Sequence, residues 1–294
     1  MTYEPNISKI WFTLDSILNQ KNANFEVIVS DDGSKENYFV EVIKYFEEKG
    51  FRDYSIVQHP KNVGTVKNVF NALNIANSKY VKVISPGDAL VSADTIRSWV
   101  DFLDKSGRHW SFGDALYYRR SEDNELVFTK ELCNPQIVDC YLRHDEETCR
   151  VNYVGLDDIA LGAAILSETK IMLRYLKRIV GKCIFAEDNI YRLMVFDNIL
   201  PEYYPKKVIF YEYGTGISTS CNENWSKKLL ADWKNADKIM FATNPQDEFQ
   251  KMLADFCKRK KTGFVNRIRK LFVKRYIRMS ILRRLRPRMS DTKL

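Results

Sequence analysis

The stretch Lys79–Leu90, KYVKVISPGDAL, decides how the rest of the chain is interpreted. The apolar residues before Pro86 predict a short buried strand, and that strand must end at Pro86-Gly87 because proline cannot donate a ladder hydrogen bond. In open α/β sheets, ligands bind beyond the carboxyl ends of the strands. Asp88 is therefore a candidate metal-site or phosphate-site residue. It also precedes a polar, helix-like segment, so a helix-capping role for its carboxylate stays open.

Short strands and amphipathic helices alternate on both sides of this stretch. Strands are predicted at 25–30, 54–58 and 81–85, and helices at 10–18, 38–46, 63–75 and 93–103. This alternation predicts an α/β fold with a mostly parallel sheet and helices on both faces. After Gly107 the pattern changes. Strands at 110–119 and 126–129 indicate an antiparallel excursion, followed by helices at 169–179 and 189–196, a strand at 208–213, and helices at 225–241 and 248–257.

Composition narrows the class of protein. A chain of 294 residues with 45% hydrophobic residues can bury one large or two small cores. Six cysteines without a C-x-x-C pair and three widely separated histidines argue against a Cys/His zinc site and suit a reducing compartment. With neither a signal peptide pattern nor an 18-residue apolar run, we expect a cytoplasmic protein.

Two further acidic sites lie at the ends of predicted elements. Asp31-Asp32 follows a buried strand directly, where carboxylates can accept hydrogen bonds from a nucleobase or ribose. The sequence Asp32-Gly33-Ser34 also favours a simple turn. Glu187-Asp188 begins a predicted helix, where acids suit the helix dipole in any case. Each site alone therefore has a structural explanation as well as a catalytic one.

Taken together, the order and spacing of these segments resemble the inverting GT-A glycosyltransferases of family 2. The resemblance covers roughly residues 1–215. The segments that carry it are SILNQ (16–20), FEVIVSDDGS (25–34), HPKNVGTVKNVFNALNIANSKYV (59–81), ISPGD (84–88), GAAILSE (162–168) and AEDNIYRL (186–193).

The resemblance implies a role for each matching position. The residues placed at the nucleotide are Thr2, Tyr3, Asp31, Asp32 and Lys67. Asp88 matches the last acid of the family's metal motif, which holds Mg²⁺ or Mn²⁺ against the diphosphate. Asp188, with Glu187 beside it, matches the general base that deprotonates the acceptor hydroxyl.

One departure from the family pattern supports an alternative. Ser85, Pro86 and Gly87 stand where the family's metal motif usually carries further acids. A chain with a depleted metal motif could instead be a non-catalytic GT-A-fold scaffold or partner subunit of a polysaccharide assembly complex. Binding of UDP and Mn²⁺ distinguishes the two.

The C-terminal end differs in charge from the rest. From Lys258 onward there are fifteen Lys or Arg and one acid, a charge of +14, which leaves −6 for the preceding residues out of the total of +8. Apolar residues recur there at three- and four-residue intervals: Val265, Ile268, Phe272, Tyr276, Met279 and Leu282. This pattern is typical of a basic amphipathic helix that binds an anionic membrane surface. Nucleic acid is the rival partner, and packing of the stripe on the body is the third possibility.

These observations predict three units: a GT-A catalytic domain at 1–219, a helical extension at 220–257 and a membrane-associating tail at 258–294. The predicted activity moves a sugar from a nucleotide donor, taken as a UDP-sugar, to a hydroxyl of a lipid-linked glycan. The predicted setting is surface polysaccharide or capsule assembly at the inner face of the cell membrane. A nucleic-acid-binding protein with an α/β body is the least favoured reading.

Overall fold

The computed structural model describes residues 1–36, 38–129, 133–216 and 223–262. The α-helices of these residues are α1 (Ile7–Leu18), α2 (Phe39–Glu48), α3 (Thr65–Leu73), α4 (Thr95–Ser106), α5 (Asp139–Leu142), α6 (Glu146–Arg150), α7 (Thr169–Ile179), α8 (Asn189–Phe196), α9 (Glu223–Ala242) and α10 (Glu248–Thr262). A π-helical turn lies at Val151–Gly155 and a 3₁₀ turn at Gly162–Ala164. The strands are β1 (Val27–Asp31), β2 (Tyr54–Gln58), β3 (Tyr80–Val81), β4 (Ala89–Leu90), β5 (Trp110–Arg120), β6 (Leu126–Phe128), β7 (Ile165–Glu168) and β8 (Glu202–Glu212).

The N-terminal part is a βαβ unit, as its sequence pattern predicts. β1 pairs with β2 in parallel, and Asp31 at the end of β1 lies opposite Gln58. The apolar faces of α1 and α2 cover this pair, and Val42 and Phe46 of α2 have no solvent exposure. The two acids that follow the strand therefore stand at the carboxyl end of a parallel pair, where an open α/β sheet presents its ligand site.

The second sheet is mixed, so the prediction of a mostly parallel sheet needs correction, whereas the α/β class is confirmed. The strand order is β3-β7-β5-β8-β4, and β6 pairs with β5. The central strands β5 and β8 run parallel, but β3–β7, β5–β7, β5–β6 and β4–β8 are antiparallel. The β5–β6 pair is the antiparallel excursion expected after Gly107. The order of the remaining strands is set by contacts between distant segments, which local periodicity does not report.

The stretch around Asp88 contains two short strands instead of the predicted strand at 81–85. β3 ends at Val81, and pairing resumes only at Ala89 in β4. Between them, Gly87 adopts φ +103°, and its carbonyl accepts a hydrogen bond from the Tyr118 hydroxyl. A side chain is strained at this φ, and a Cβ would also lie 2.3 Å from Glu212 Oε2 and displace that carboxylate, so the turn favours glycine. The turn places the Asp88 carboxylate beside β8.

The C-terminal helices pack on the body. Buried residues of α9 and α10, among them Met240 and Leu253, share one apolar cluster with Trp110 and Ile190. The unit boundaries expected at 219 and 257 stay predictions. Residues 263–294, which carry most of the basic tail, lie outside the described residues. Among the helices that the structure describes, none combines the length and the apolar character needed to cross a bilayer.

Candidate active site

A cavity of about 1080 Å³ opens where β1, the turn before β4, and the start of α8 meet. Its walls include Asp32, Asp88, Glu187 and Asp188, so residues from all three predicted acidic sites face the same space. They come from distant parts of the chain and meet only through the fold. A volume of this size suits a ligand as large as a nucleotide-sugar.

Asp31 and Asp32 are adjacent, but only Asp32 faces the cavity. Asp31 is fully buried and is not a wall residue of the cavity. Its carboxylate accepts hydrogen bonds from the Ser34 amide (2.8 Å), the Thr2 hydroxyl (3.0 Å) and the Tyr38 hydroxyl (2.9 Å). Burial raises the pKa of Tyr38, which keeps its phenol protonated and able to donate. Asp31 therefore fixes the turn that presents Asp32.

Asp32 faces the cavity and also fixes the start of α3. Its carboxylate accepts hydrogen bonds from the amides of Val63 (2.6 Å) and Gly64 (3.1 Å). Burial raises the pKa of Asp32, while these two amides favour its charged form. A Cβ at Gly64 would lie 2.4 Å from Ile184 Cγ2, so the α3 start also touches the segment before α8.

The other predicted nucleotide residues divide into two groups. Thr2 and Tyr3 line the cavity, as does the neighbouring Asn62. Lys67 does not, and its side chain is exposed on α3. The cavity-facing residues of α3 are Thr65 and Asn68, which are three apart and share a helix face that Lys67 does not. The structure thus brings Thr2 and Tyr3 to the site but leaves Lys67 outside it.

Asp88 is held in one orientation by the neighbouring strand. Its Oδ1 accepts the Glu212 amide at 3.0 Å, and only 5% of the residue is exposed. Burial raises the pKa of Asp88 from 3.8 to about 7, and the charge of Glu212 adds to the effect, whereas the Glu212 amide and the cation of Lys82 oppose it. A buried carboxylate with a raised pKa is stabilised by any cation that reaches it.

Two charged residues near Asp88 were not predicted from the sequence. Glu212 lines the cavity at the end of β8, and its carboxylate pairs with Lys9 at 2.7 Å and lies 3.9 Å from Arg120. An acid at a strand end, two residues before a glycine, is close to the signal that singled out Asp32. Lys82 is half-buried, and burial lowers its pKa to about 8, while Asp88 and Glu187 raise it. Lys82 places a cation near both acidic sites.

Glu187 and Asp188 stand at the start of α8. A Cβ at Gly162 would lie 3.4 Å from Asp188 Oδ2, so the small-residue run Gly162–Ala164 leaves room for the carboxylate. Burial raises the pKa of Asp188, and Arg192, one turn further along α8, partly offsets this. Burial, and after it the charge of Asp188, raises the pKa of Glu187 to about 8. Glu187 is therefore poised to hold or release a proton near neutral pH.

The side chains at this site could hold a divalent metal ion only together with phosphate oxygens of a bound diphosphate. In the described ranges there is no group of three or more Asp, Glu, His or Cys side chains placed to hold an ion. Glu212, whose amide binds Asp88, is a second acid at this place, and its carboxylate is engaged by Lys9. Mg²⁺ commonly takes one or two carboxylates together with phosphate oxygens and waters. The donor set fits a cation shared with a bound diphosphate and does not fit an all-protein metal site.

The raised pKa of Glu187 predicts a pH-dependent stability. Its pKa is about 8 in the folded chain against an ordinary value of 4.5, so the folded state binds this proton more tightly than the unfolded state. The corresponding stability is complete below about pH 4.5 and is lost as the pH rises through about 8. Glu187→Gln removes that loss and, at about 1.4 kcal/mol per pKa unit, should raise the Tm by about 10 °C at pH 9.

Thermal denaturation monitored by circular dichroism from pH 5 to pH 9 measures this effect. The advantage of Glu187→Gln over the parent chain should grow with pH and vanish near pH 5. Glu47→Gln, on the exposed face of α2, is the matched control and should show no trend. A Tm difference for Glu187→Gln that does not change with pH would mean that Glu187 titrates as an ordinary surface acid.

Comparison with known proteins agrees with the fold. Residues 3–144 match the profile of "Glycosyl transferase family 2". The match spans just under half of the chain, and together with the GT-A-like arrangement of sheets and helices it supports the resemblance to the family 2 glycosyltransferases. The sequence-based resemblance is thereby confirmed. No curated protein sequence matches the chain.

Solved structures show the same fold at low sequence identity. TarS 1-349 from S. aureus in complex with UDP is 13% identical, with a TM-score of 0.52 over 89% of this chain and 70% of that one. The same protein with UDP-GlcNAc gives 15% identity and a TM-score of 0.51, over 87% and 69%. The mannosyltransferase PcManGT from Pyrobaculum calidifontis, in complex with GDP-Man and Mn2+, gives 12% and 0.56, over 94% and 77%. At these identities the likeness concerns the fold alone.

Proposed function

We propose that this chain is an inverting glycosyltransferase that moves a sugar from a UDP-linked donor to a hydroxyl of a lipid-linked glycan. The observation that carries the proposal is the convergence of Asp32, Asp88 and Asp188 on one cavity. The family 2 match over residues 3–144 supplies the reaction class. The choice of UDP is supported by the bound UDP and UDP-GlcNAc of the TarS structures, whose fold this chain shares.

The nucleotide half of the cavity is assigned to Thr2, Tyr3 and Asp32. The Asp32 carboxylate can accept a hydrogen bond from an N–H of the base, as the resemblance implies. Asp31 supports this half indirectly, because it anchors the turn and the Thr2 hydroxyl. Lys67 is assigned at most an electrostatic role from outside the cavity, since its side chain is exposed.

The diphosphate is assigned to the neighbourhood of Asp88. A bound Mg²⁺ or Mn²⁺ would be held by Asp88 together with the donor's phosphate oxygens, and it would neutralise the charge that develops on the leaving diphosphate. The chain's own contribution is to orient this carboxylate through the Glu212 amide. The Mn2+ of the mannosyltransferase structure supports a divalent cation in this fold.

The base is assigned to Asp188. A sugar hydroxyl is a weak nucleophile, so a carboxylate within hydrogen-bond reach must take its proton as the new bond forms. Attack from the face opposite the leaving diphosphate inverts the anomeric carbon, which requires a single base and no covalent intermediate. The raised pKa of Asp188 improves it as a proton acceptor. Glu187 beside it is the assigned electrostatic partner.

The acceptor half is assigned to aromatic residues next to the base. Phe185, Trp225 and Trp233 line the cavity there, and Trp225 packs edge-to-face on Phe185 with 5.1 Å between ring centroids. Aromatic faces bind the C–H faces of sugar rings and the chains of lipid carriers alike. This wall supports a lipid-linked glycan acceptor, and surface polysaccharide assembly is the setting that uses such acceptors.

Trp225→Ala is expected to raise the KM for the acceptor about 10-fold, which corresponds to the loss of about one aromatic contact. Hydrolysis of the donor without acceptor should change less than about twofold on the same reasoning. Steady-state kinetics with a glycolipid acceptor measures both. Trp11→Ala is the control, because Trp11 stacks on Tyr45 and is not a cavity residue. An unchanged acceptor KM in Trp225→Ala would remove the aromatic wall from the acceptor site.

Turnover of a panel of UDP-, GDP- and dTDP-linked sugars tests the proposed function. Release of the nucleoside diphosphate by the purified chain, with and without Mn²⁺, is the readout. We expect turnover with at least one UDP-sugar and about 10³-fold less turnover in Asp188→Asn. Failure of the parent chain with every donor would refute the proposal.

The alternative, a non-catalytic member of the fold, is favoured by Ser85, Pro86 and Gly87 in place of further acids. Titration calorimetry with UDP and Mn²⁺ distinguishes it from the enzyme. A chain that binds neither is a scaffold or partner subunit. A chain that binds UDP more tightly with Mn²⁺ has the proposed donor site.

The localisation proposed with this function is the inner face of the cell membrane. Its support is the basic, amphipathic sequence of 258–294, most of which lies outside the described residues. Flotation with anionic vesicles should retain the full chain and lose a chain ending at 257. Equal flotation of both would remove the tail as the membrane contact.

A further inference from the structure

A buried side chain of α9 holds the segment that leads into the proposed base. Asp232 Oδ2 accepts the amides of Phe185 at 2.6 Å and Ala186 at 3.0 Å, and both of its carboxylate oxygens lie 3.0 Å from the Ile184 amide nitrogen. Asp232 is 3% exposed. One carboxylate thus meets three consecutive amides immediately before Glu187 and Asp188.

The same segment is fixed on its other side by α3. The Ile184 carbonyl accepts the Val66 amide at 3.0 Å, and Gly64 leaves no space for a Cβ against Ile184. On the α9 side, Asn235 stands one turn after Asp232 and donates to the Lys182 carbonyl at 2.8 Å. The segment 182–186 is therefore clamped between two helices before it turns into α8.

The negative charge of Asp232 disfavours the charged forms of Glu187 and Asp188. Burial and the charge of Asp188 raise the pKa of Glu187, and the charge of Asp232 raises it further. Among natural side chains, only a carboxylate presents two acceptor oxygens with no competing donor. Three amides in one buried place require such an acceptor. The geometry of the segment, and not the local charge balance, explains an aspartate at 232.

We propose that Asp232 is a positioning residue: by binding the amides of Ile184, Phe185 and Ala186 it fixes the orientation of the Asp188 base. This inference rests on the proposed function for its catalytic part. It makes α9 a part of the catalytic machinery, although α9 lies beyond residues 3–144, where the family profile matches.

Asp232→Ala should lower kcat about 10- to 100-fold, because a shift of about 1 Å in a catalytic group costs about that much. The KM for the donor should stay within about twofold, since the nucleotide half is untouched. Asp232→Asn, which keeps one acceptor oxygen, should fall between the parent chain and Asp232→Ala. If Asp232→Ala does not fold, Asp232→Asn carries the test alone.

Amide hydrogen exchange of 184–186, followed by mass spectrometry, gives a readout that needs no activity. Exchange should speed up in Asp232→Asn and stay at the parent rate in Asp158→Asn. Asp158 is the matched control, a buried aspartate whose carboxylate accepts the amides of Gln136 and Ile137.

Unchanged exchange at 184–186, or faster exchange with an unchanged kcat, would overturn the inference. A parent chain inactive with all donors would instead refute the proposed function, and the exchange result would then decide whether Asp232 fixes the segment.

Discussion

Replacing Asp188 with asparagine is expected to lower turnover of the sugar donor by about 10³-fold, since removing a general base costs about 10²–10⁴-fold. Asparagine keeps the shape of the side chain, so the wall of the cavity and the start of α8 should stay intact. The KM for the donor should change little, because Asp188 acts on the acceptor hydroxyl. A loss confined to kcat is the signature of a group needed in the transition state.

Asp197→Asn is the matched control for this variant. Asp197 lies at the opposite end of α8, pairs with Arg178 and is not among the residues lining the cavity. Its replacement should cost some thermal stability and leave kcat within about twofold. If Asp188→Asn kept more than a tenth of the parent activity, the base would have to be another group, and Glu187 would be the first to test.

Asp88→Asn is expected to weaken Mn²⁺-dependent binding of UDP and of the donor by about 100-fold, because a charged ligand becomes neutral at the diphosphate. Turnover should fall by at least about the same factor. The fold should tolerate the change, since an asparagine oxygen can still accept the Glu212 amide. Burial raises the pKa of Asp88 to about 7, so removing this charge should not destabilise the chain above neutral pH.

The control for Asp88→Asn is a second ligand, uridine, whose binding is compared with that of UDP. Uridine carries the base and ribose but no diphosphate, so its affinity should be equal in the parent chain and in the variant. Calorimetry with uridine and then UDP, each with and without Mn²⁺, separates the two halves of the donor. Equal weakening for uridine and UDP would indicate a general disturbance of the cavity. No weakening for UDP would remove Asp88 from the diphosphate site.

The convergence of the candidate acids could be predicted because they stand near the ends of regular elements. Asp32 follows β1, and Asp88 directly precedes β4, at a turn that proline and glycine mark in the sequence. Element ends are visible in a sequence through hydrophobic runs and turn residues, and in an α/β fold they converge on one edge. Asp31 and Lys67 show the limit of this reasoning. Adjacent or helical residues can face in different directions, and only the packed fold decides which of them meets the ligand.

The features that escaped prediction depend on contacts between distant segments. Asp232 lies in the middle of a helix, where a polar residue normally faces solvent, and only the packing of α9 reveals the three amides it binds. The mixed second sheet has the same origin. Strands of two residues, such as β3 and β4, leave too short a pattern for their pairing to be read. Glu212 could have been found, because it ends a strand just as Asp32 does.

The most direct test of the central claim is a crystal structure of the chain with an intact UDP-sugar and Mn²⁺. We expect the uracil beside Asp32, the diphosphate at Asp88, and the anomeric carbon turned toward Asp188 on the face opposite the diphosphate. A donor bound away from these three carboxylates, or one with Asp188 on the leaving-group side, would contradict this claim.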